Sequence, residues 1–205
     1  MPTYIGLTGT MGSGKGEIAK ILQARGFKYI SLSDIVRDEA TRRGLEHSRE
    51  NLQTVGNMLR NDYGAGALGI RVREEIQKDP SSDWVIDGIR NPGENEELGA
   101  LDDFSMIGVG VDSEIVIRRI MERNRGGEVL KREAILEKLN KEKGEGEPPE
   151  GQQVKKCLEE ADYFLINEGT LDDLENKVTH FLRLQTDEDR PTFDEIFMEI
   201  AYIWS

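Results

Sequence analysis

The chain has 205 residues, enough for one α/β domain with a hydrophobic core and too few for several domains. Its 27 basic and 40 acidic residues give a net charge of -13, which disfavours sequence-independent binding of nucleic acid and requires any phosphate site to be a local basic pocket. A single cysteine, Cys157, excludes an internal disulfide and a zinc cluster, and without a signal peptide or a long apolar run we expect a cytoplasmic protein with no membrane contact.

Short apolar segments alternate with helical patterns, which is typical of βαβ units around a mainly parallel sheet. The predicted strands are residues 4–8, 27–32, 84–87, 104–111 and 163–166. The predicted helices are residues 15–25, 33–43, 49–61, 65–78, 95–101, 113–123, 131–141, 152–160 and 171–184. Asp112 and Thr170 are expected to cap the two helices that follow them.

The segment GTMGSGKG follows the first predicted strand and contains four glycines in eight residues. Gly9, Gly14 and Lys15 satisfy the pattern G-x-x-x-x-G-K, in which glycines let successive backbone N–H groups surround an anion. The N-terminus of the next helix adds partial positive charge, and Lys15 adds a full charge for the β and γ phosphates of ATP. The residues expected to bind ATP here are Gly9, Thr10, Gly12, Ser13, Gly14, Lys15, Gly16 and Glu17.

Gly16 narrows the class of phosphate-binding protein. In most phosphate-loop enzymes the residue after the lysine offers a hydroxyl to Mg²⁺. The form GxxGxGKG instead resembles adenylate kinase and similar nucleoside monophosphate kinases. Glu17 departs from that group, in which threonine is usual, and is expected to place an acid near the phosphates.

Candidate ligands for a second substrate follow the next predicted strand. Asp34 and Arg37 stand just past it, at the edge of the sheet where α/β proteins bind ligands. The alternative is that Ser33 or Asp34 simply caps the helix.

The next predicted helix carries Arg49, Gln53 and Arg60, separated by four and then seven residues, so they share one helical face. A solvated polar stripe would have the same spacing. Gly56 favours a ligand-binding face, because a glycine inside a helix costs about 1 kcal/mol relative to alanine and usually permits a close approach.

The segment WVIDGIRNPGE contains a buried strand that is predicted to end in Asp87. An acid at this position orients Mg²⁺ and its water ligands in phosphate-loop enzymes. Arg90 follows in the next loop, where it is expected to bind the acceptor phosphate through two hydrogen bonds. The alternative is an ordinary aspartate at a strand end with a surface arginine beside it.

Five arginines are concentrated after the fourth predicted strand of this acidic chain. They are Arg118, Arg119, Arg123, Arg125 and Arg132. We expect Arg123 and Arg125 to close over the polyphosphate as a lid, which excludes water and stabilises charge in the transition state. Arg118 and Arg119 are expected to pair with nearby glutamates such as Glu114 and Glu122.

Two further segments carry weaker signals. Residues 141–151, KEKGEGEPPEG, are charged and rich in glycine and proline, which predicts a mobile loop, either as a linker or as a lid tip. After the last predicted strand, Asn167 presents its backbone to an adenine ring in one interpretation and forms a plain strand-to-helix turn in the other.

Several of these segments together resemble the P-loop domain of nucleoside-monophosphate-kinase type that occurs alone or fused ahead of deoxycytidylate deaminase domains. They also resemble dephospho-CoA kinase and phage deoxynucleotide kinases. The resemblance covers about residues 4–185 and lies in GLTGTMGSGKG, ISLSDIVRDE, SRENLQTVGNMLR, VIDGIRNPGE and ADYFLINEGT. It implies a three-layer P-loop α/β fold with a five-stranded parallel sheet and a helical lid. It also implies ATP with Mg²⁺ as cofactors, and a (deoxy)nucleoside monophosphate near Asp34, Arg37, Arg49 and Arg90.

The tail RPTFDEIFMEIAYIWS returns to apolar helical spacing and resembles the opening helix of a zinc deoxycytidylate deaminase. The chain lacks the H-x-E and P-C-x-x-C signatures, so we expect no deaminase chemistry in it. The expected organisation is a kinase-like domain over residues 1–185 and a C-terminal helix over residues 186–205. That helix is expected to contact a second copy of the chain or a deaminase partner.

The residues favour ATP-dependent phosphorylation of a (deoxy)nucleoside monophosphate, with two alternatives left open. One is a regulatory module that senses nucleotides for a deaminase, an interpretation that Glu17 supports. The other is a dephospho-CoA kinase, which acts on a ribose hydroxyl and needs a general base such as Asp34.

Overall fold

The computed structural model describes residues 1–123 and 131–185, except for the side chains of Arg49 and Arg123. The chain divides into two compact units, Met1–Glu168 and Gly169–Ser205. The predicted C-terminal helix over residues 186–205 and Arg125 of the predicted lid lie outside the described residues.

The first unit is built on a parallel sheet with the strand order β2-β3-β1-β4-β5. The strands are β1 (Tyr4–Thr8), β2 (Lys28–Ser31), β3 (Trp84–Ile89), β4 (Phe104–Gly110) and β5 (Tyr163–Ile166). Every residue of the central strand β1 is buried, so helices cover both faces of the sheet there. The predicted α/β class with five parallel strands is confirmed.

Eight helices of the first unit fall within the described residues, and one belongs to the second unit. They are α1 (Lys15–Gln23), α2 (Leu32–Arg42), α3 (Arg49–Tyr63), α4 (Ala67–Ile76), α5 (Pro92–Leu98), α6 (Ser113–Arg123), α7 (Arg132–Lys143) and α8 (Val154–Glu159), followed in the second unit by α9 (Leu171–Gln185). Within residues 1–123 and 131–185, none of these helices combines the length and apolar character needed to cross a bilayer.

The helix caps explain where the sequence prediction was right and where it was wrong. Asp112 and Thr170 cap the following helices as expected, through hydrogen bonds from the backbone N–H groups of Glu114 and Asp173. The predicted capping of α2 by Ser33 or Asp34 is wrong, because Ser31 accepts the bond from the N–H of Ser33 at 3.1 Å.

Two elements around β3 have boundaries that the sequence prediction missed. Strand β3 continues beyond Asp87 to Ile89, and a bulge at Gly88, with φ of 88°, turns the chain at the edge of the sheet. Helix α5 begins at Pro92, three residues before its predicted start. Asn91 and Glu94 form a capping box there, with proline at the first helical position.

Buried apolar side chains lie on both faces of the sheet, and two clusters of them bear on the site. One lies between the sheet and helices α2 to α5 and α8, and includes Cys157, whose thiol pKa is raised by burial. The other joins α6 to α7 and packs against Met11, next to the glycine-rich segment. The cysteine is therefore a core residue.

The segment after α7 is tied to the rest of the first unit, in contrast to the mobile loop predicted for it. The side chain of Asn91 donates to the carbonyl oxygens of Pro149 at 2.8 Å and Gly151 at 2.9 Å. The Glu147 carboxylate accepts from Asn57 at 3.3 Å. Composition suggested a solvated loop, and contacts from distant parts of the chain hold it against α3 and α5.

Candidate functional site

The glycine-rich segment, residues 9–16, connects the carboxyl end of β1 to the N-terminus of α1. Gly9, Gly12 and Gly14 have φ of 142°, 77° and 102°, which side chains rarely adopt. A Cβ at Gly14 would lie 2.0 Å from the Asn167 amide nitrogen, and one at Gly9 would lie 2.7 Å from the carbonyl oxygen of Val109. Backbone geometry and close neighbours therefore both require glycine in this segment.

Lys15 folds back over this segment. Its Nζ donates to the carbonyl oxygens of Gly9 at 2.6 Å and Thr10 at 3.0 Å. Burial lowers the pKa of Lys15 to about 8, and the nearby carboxylate of Asp87 opposes that shift. An ammonium group with so little solvent is strongly stabilised by an anion, such as a phosphate, placed beside it.

The side chain of Asn167, just after β5, supports the glycine-rich segment. The Asn167 amide donates to the carbonyl oxygen of Ser13 at 2.7 Å. Arg119 donates in turn to the carbonyl oxygen of Asn167 at 2.9 Å, so its predicted pairing with a nearby glutamate is wrong. Glu114, one of those glutamates, pairs with Arg132 instead.

Two polar atoms next to this contact lack a hydrogen-bond partner. They are Nη1 of Arg119 and Oγ of Ser13, and both are buried. Buried polar groups normally have partners, so unsatisfied groups on both sides of the glycine-rich segment fit a site that a ligand completes. Sequence analysis missed Arg119 because its spacing from glutamates also suits ordinary pairs on a helix surface.

Gly16 and Glu17 open helix α1 without crowding the site. A Cβ at Gly16 would find nothing within 4 Å. The Glu17 carboxylate forms an exposed ion pair with Lys20 at 2.9 Å. The structure thus places this carboxylate in a surface pair on α1, where the sequence had suggested an acid near the phosphates.

Asp87 lies on β3 next to β1, opposite Leu7 in the register. Its Oδ2 accepts from the hydroxyl of Tyr29 at 3.1 Å, and its Oδ1 is buried without a partner. Burial raises the pKa of Tyr29 to about 12, and the negative charge of Asp87 adds to this shift.

Asp87 is suited to a metal that other ligands complete. Within the described part of the chain, no three histidine, cysteine or carboxylate side chains come together to hold an ion on their own. An unpartnered carboxylate oxygen fits Mg²⁺, which usually keeps several waters and takes phosphate oxygens alongside one or two carboxylates.

A cavity of about 320 Å³ opens beside the glycine-rich segment and is lined by α2, α3, α4, the end of β3, α7 and the segment before α8. Its polar wall consists of Ser33, Arg37, His47, Gln53, Arg60, Arg90, Glu142 and Gln152. Its apolar floor includes Leu32, Val36 and Leu52. A pocket of this size, with an apolar floor and convergent charged groups, is typical of a small-molecule site.

Three arginines converge on this cavity from different elements. Arg60 is 4% exposed and donates from Nε to the buried carboxylate of Glu94 at 2.8 Å. Arg37 pairs with Asp34. Among the described residues, the guanidinium group of Arg90 has neither a hydrogen bond nor an ion pair.

The remaining predicted substrate residues are distributed as follows. Gln53 lines the cavity with the arginines, whereas Asp34 is exposed and absent from its wall. Arg49 begins α3 and Arg123 ends α6, and the structure describes only their backbones.

Four polar residues of the cavity wall were not among the predicted substrate residues, namely Ser33, His47, Glu142 and Gln152. Glu142 is 4% exposed, and its Oε2 accepts from the backbone N–H of Met11 at 2.7 Å. Gln152 is 7% exposed. Both flank the segment that reads as a charged loop, and no motif marks them, because only the fold brings them to the cavity.

The chain matches a protein-family model and a group of related proteins. A family model described as an AAA domain matches residues 8–136. The UPF0200 protein of Aeropyrum pernix is 34% identical over 174 residues, which cover 83% of this chain and 87% of that protein.

Solved structures show the same fold. TT1252 from Thermus thermophilus matches with a TM-score of 0.59 and 22% identity, covering 90% of this chain and 98% of that one. Shikimate kinase from Aquifex aeolicus matches with a TM-score of 0.55 and 13% identity, covering 88% and 96%. The chain therefore has the fold of P-loop kinases.

Proposed function

The chain belongs to the AAA-domain family and to the UPF0200 proteins, and we propose that it transfers the γ-phosphoryl group of ATP to a (deoxy)nucleoside monophosphate, forming the diphosphate. The observation that carries this proposal is Arg90. Its guanidinium group has no partner among the described residues, lines the cavity, and lies close enough to Lys15 to lower the pKa of that lysine further.

The ATP half of the site follows from the glycine-rich segment, residues 9–16, which acts as the phosphate loop. Backbone N–H groups at the start of α1 bind the β phosphate, and the Lys15 ammonium leaves the carbonyl oxygens of Gly9 and Thr10 to bind the β and γ phosphates. Asp87 would hold Mg²⁺ through its unpartnered Oδ1. When bound, Mg²⁺ supplies charge neutralisation on the phosphate oxygens.

The acceptor half is the cavity with Arg37, Arg60 and Arg90. Three guanidinium groups around one cavity, in a chain with a net charge of -13, favour a dianionic ligand over a neutral one. The phosphate of the acceptor binds to these groups and faces the γ-phosphoryl group at Lys15. Transfer then needs position and charge rather than covalent chemistry by the protein.

Arg123 and Arg125 complete the proposal as lid residues. Arg123 is the last residue of α6, whose apolar face packs on α7 and on Met11 of the phosphate loop. An arginine pair at this point of the chain would close over the polyphosphate, excluding water and stabilising the charge that spreads over the transferred group.

A hydroxyl acceptor, as in dephospho-CoA kinase, is the second candidate, and one observation favours it. Asp34, the expected general base, is absent from the cavity wall, but the buried carboxylate of Glu142 lies on that wall beside the phosphate loop. A carboxylate there can take the proton of an attacking hydroxyl. The nucleotide-sensor alternative loses part of its support, because the Glu17 carboxylate pairs with Lys20.

An assay of ADP release against a panel of acceptors tests the proposal. The panel contains ribo- and deoxynucleoside monophosphates and dephospho-CoA, with ATP and Mg²⁺ supplied. We expect release that depends on a monophosphate, and we expect Arg90→Met to lower kcat/KM by about 10² to 10³, as the loss of a charge aimed at the transferred group does.

Arg25→Met is the matched control, because Arg25 is exposed at the end of α1 and lies off the cavity wall. It should leave kcat/KM unchanged. Release with dephospho-CoA alone would replace the proposal by the hydroxyl-acceptor activity. Tight ATP binding without release for any acceptor would establish a sensor instead.

A further inference from the structure

Gln152 carries a polar side chain that the protein itself does not satisfy. The residue is 7% exposed, and its Oε1 is enclosed without a hydrogen-bond partner. Among the described residues, no hydrogen bond reaches either end of this amide. Burying an amide without a hydrogen-bond partner is unfavourable. A buried, unpaired amide therefore points to a ligand that supplies the missing hydrogen bond.

The backbone on both sides of Gln152 is fixed to the end of β3. Asn91 donates to the carbonyl oxygen of Gly151 at 2.9 Å, and the N–H of Gln153 donates to the carbonyl oxygen of Arg90 at 2.7 Å. The neighbouring amide of Gln153 donates to the carbonyl oxygen of Pro148 at 3.0 Å. The fold thus satisfies Gln153 and holds Gln152 in the cavity wall with its amide unpaired.

Glu142 lies on the same wall, and its Oε2 accepts from the N–H of Met11. The arginines of the cavity supply donors that match a phosphate. The enclosed Oε1 of Gln152 is instead an acceptor, so it matches a donor on the ligand, which a fully ionised phosphate does not provide.

These two residues lie at the phosphate end of the cavity. Glu142 is bonded to the phosphate loop, and the backbone next to Gln152 is bonded to Arg90. In a nucleotide the sugar is the group next to the phosphate, and the base is farther away. The donor that reaches this wall is therefore a sugar hydroxyl rather than an amino group of the base.

We propose that Gln152 accepts a hydrogen bond from a ribose hydroxyl of the acceptor, so that the protein selects ribonucleoside over 2′-deoxyribonucleoside monophosphates. The inference deepens the proposed function and rests on the acceptor binding in this cavity. A site built to bind a hydroxyl disfavours the analogue that lacks it, because its own polar groups are then left unpaired.

Calorimetric titration without ATP tests this selection independently of turnover. CMP and dCMP differ by the 2′-hydroxyl alone, and CMP and UMP differ in the base. For the unmodified full-length chain we expect CMP to bind about tenfold to a hundredfold more tightly than dCMP. In Gln152→Met, which keeps the side-chain volume, that ratio should fall towards one, mainly through weaker binding of CMP.

The matched control is Gln77→Met, since Gln77 is exposed at the end of α4 and lies off the cavity wall. It should keep the ratio of the unmodified chain. The melting temperature of Gln152→Met should be unchanged or higher, because the variant removes an unpaired buried amide. A lower melting temperature would show that the amide has a structural partner and would overturn the inference.

The remaining outcomes of the titrations are equally decisive. Equal affinity for CMP and dCMP, or an unchanged ratio in Gln152→Met, would overturn the inference. Loss of discrimination between CMP and UMP alone would assign Gln152 to the base instead, which also contradicts it. A ribose preference without ADP release in the panel assay would refute the proposed function and leave the inference standing, whereas no binding of any monophosphate would refute both.

Discussion

At the scale of single residues, the lowered pKa of Lys15 is expected to couple nucleotide binding to the uptake of a proton. Burial lowers its pKa to about 8, well below its ordinary value of 10.5. Phosphate groups beside the ammonium would raise that pKa again. We therefore expect ATP binding at pH 9 to take up close to one proton, and binding at pH 7 to take up almost none. Calorimetry in buffers of different ionisation enthalpy measures this uptake.

The variant Lys15→Met is the control for that proton, because it removes the titrating group. It should show no buffer-dependent heat at pH 9, and its nucleotide affinity should be weaker. Proton uptake at pH 9 in Lys15→Met equal to that of the unmodified chain would contradict the assignment to Lys15.

The same shift sets the sign of a stability effect. Between pH 8 and pH 10.5 the unfolded chain holds more protons at this lysine than the folded chain does. The contribution of Lys15 to the free energy of unfolding therefore rises with pH in that window. Urea titrations of the unmodified chain and Lys15→Met across the window should differ in slope with that sign, and a slope difference of the opposite sign would contradict the lowered pKa.

Sequence analysis finds the residues that a local pattern marks. Gly9, Gly14 and Lys15 belong to a motif whose spacing fixes their geometry, and Asp87 and Arg90 lie in and just after a recognisable buried strand. Glu142 carries no such mark, because an acid in a charged segment looks solvated until the fold brings it to the phosphate loop. Residues whose role depends on contacts between distant parts of the chain are not marked by local spacing.

At the scale of elements, helix α3 tests whether the cavity binds the acceptor. A Cβ at Gly56 would lie 3.6 Å from Nη1 of Arg60 and 3.7 Å from Val36, which is ordinary contact, so packing within the protein does not require glycine. Gly56→Ala should stabilise the fold by about 1 kcal/mol through helix propensity. It should also raise KM for the acceptor severalfold, because the added methyl group enters the cavity.

Asn61→Ala is the control for this change, because Asn61 is on the solvent side of the same helix. It also raises helix propensity, and it should leave KM unaltered. Thermal melts and acceptor titrations on both variants separate the two effects. A stabilised Gly56→Ala with unchanged KM would mean that the acceptor does not reach α3.

The boundaries of the helices and strands show which local sequence features determine where each element begins and ends. Strand β1 and strand β5 have their predicted limits, because apolar residues and turn residues define both ends. Helix α5 starts earlier than predicted, because its N-terminus depends on the reciprocal bonds of Asn91 and Glu94 rather than on apolar spacing. Composition predicted a mobile loop after α7, but hydrogen bonds from the Asn91 side chain hold that segment in place.

At the scale of the whole molecule, the charge distribution fits a small anionic substrate. The net charge is -13, yet Lys15, Arg37, Arg60 and Arg90 come together around the phosphate loop and the cavity. Such an arrangement repels polyanions at a distance and binds compact anions at one place. Composition predicted a local basic pocket in an acidic chain. The fold brings these basic residues together at the glycine-rich segment and the cavity.

The identity of the phosphorylated product is the most direct test of phosphoryl transfer by this chain. Protein, ATP and Mg²⁺ are incubated with one nucleoside monophosphate at a time, and chromatography with mass spectrometry follows every nucleotide. The account predicts equal amounts of ADP and of the diphosphate of the added acceptor, and no such products with Lys15→Ala. Unchanged ATP with every acceptor, or ADP accompanied only by inorganic phosphate, would contradict it.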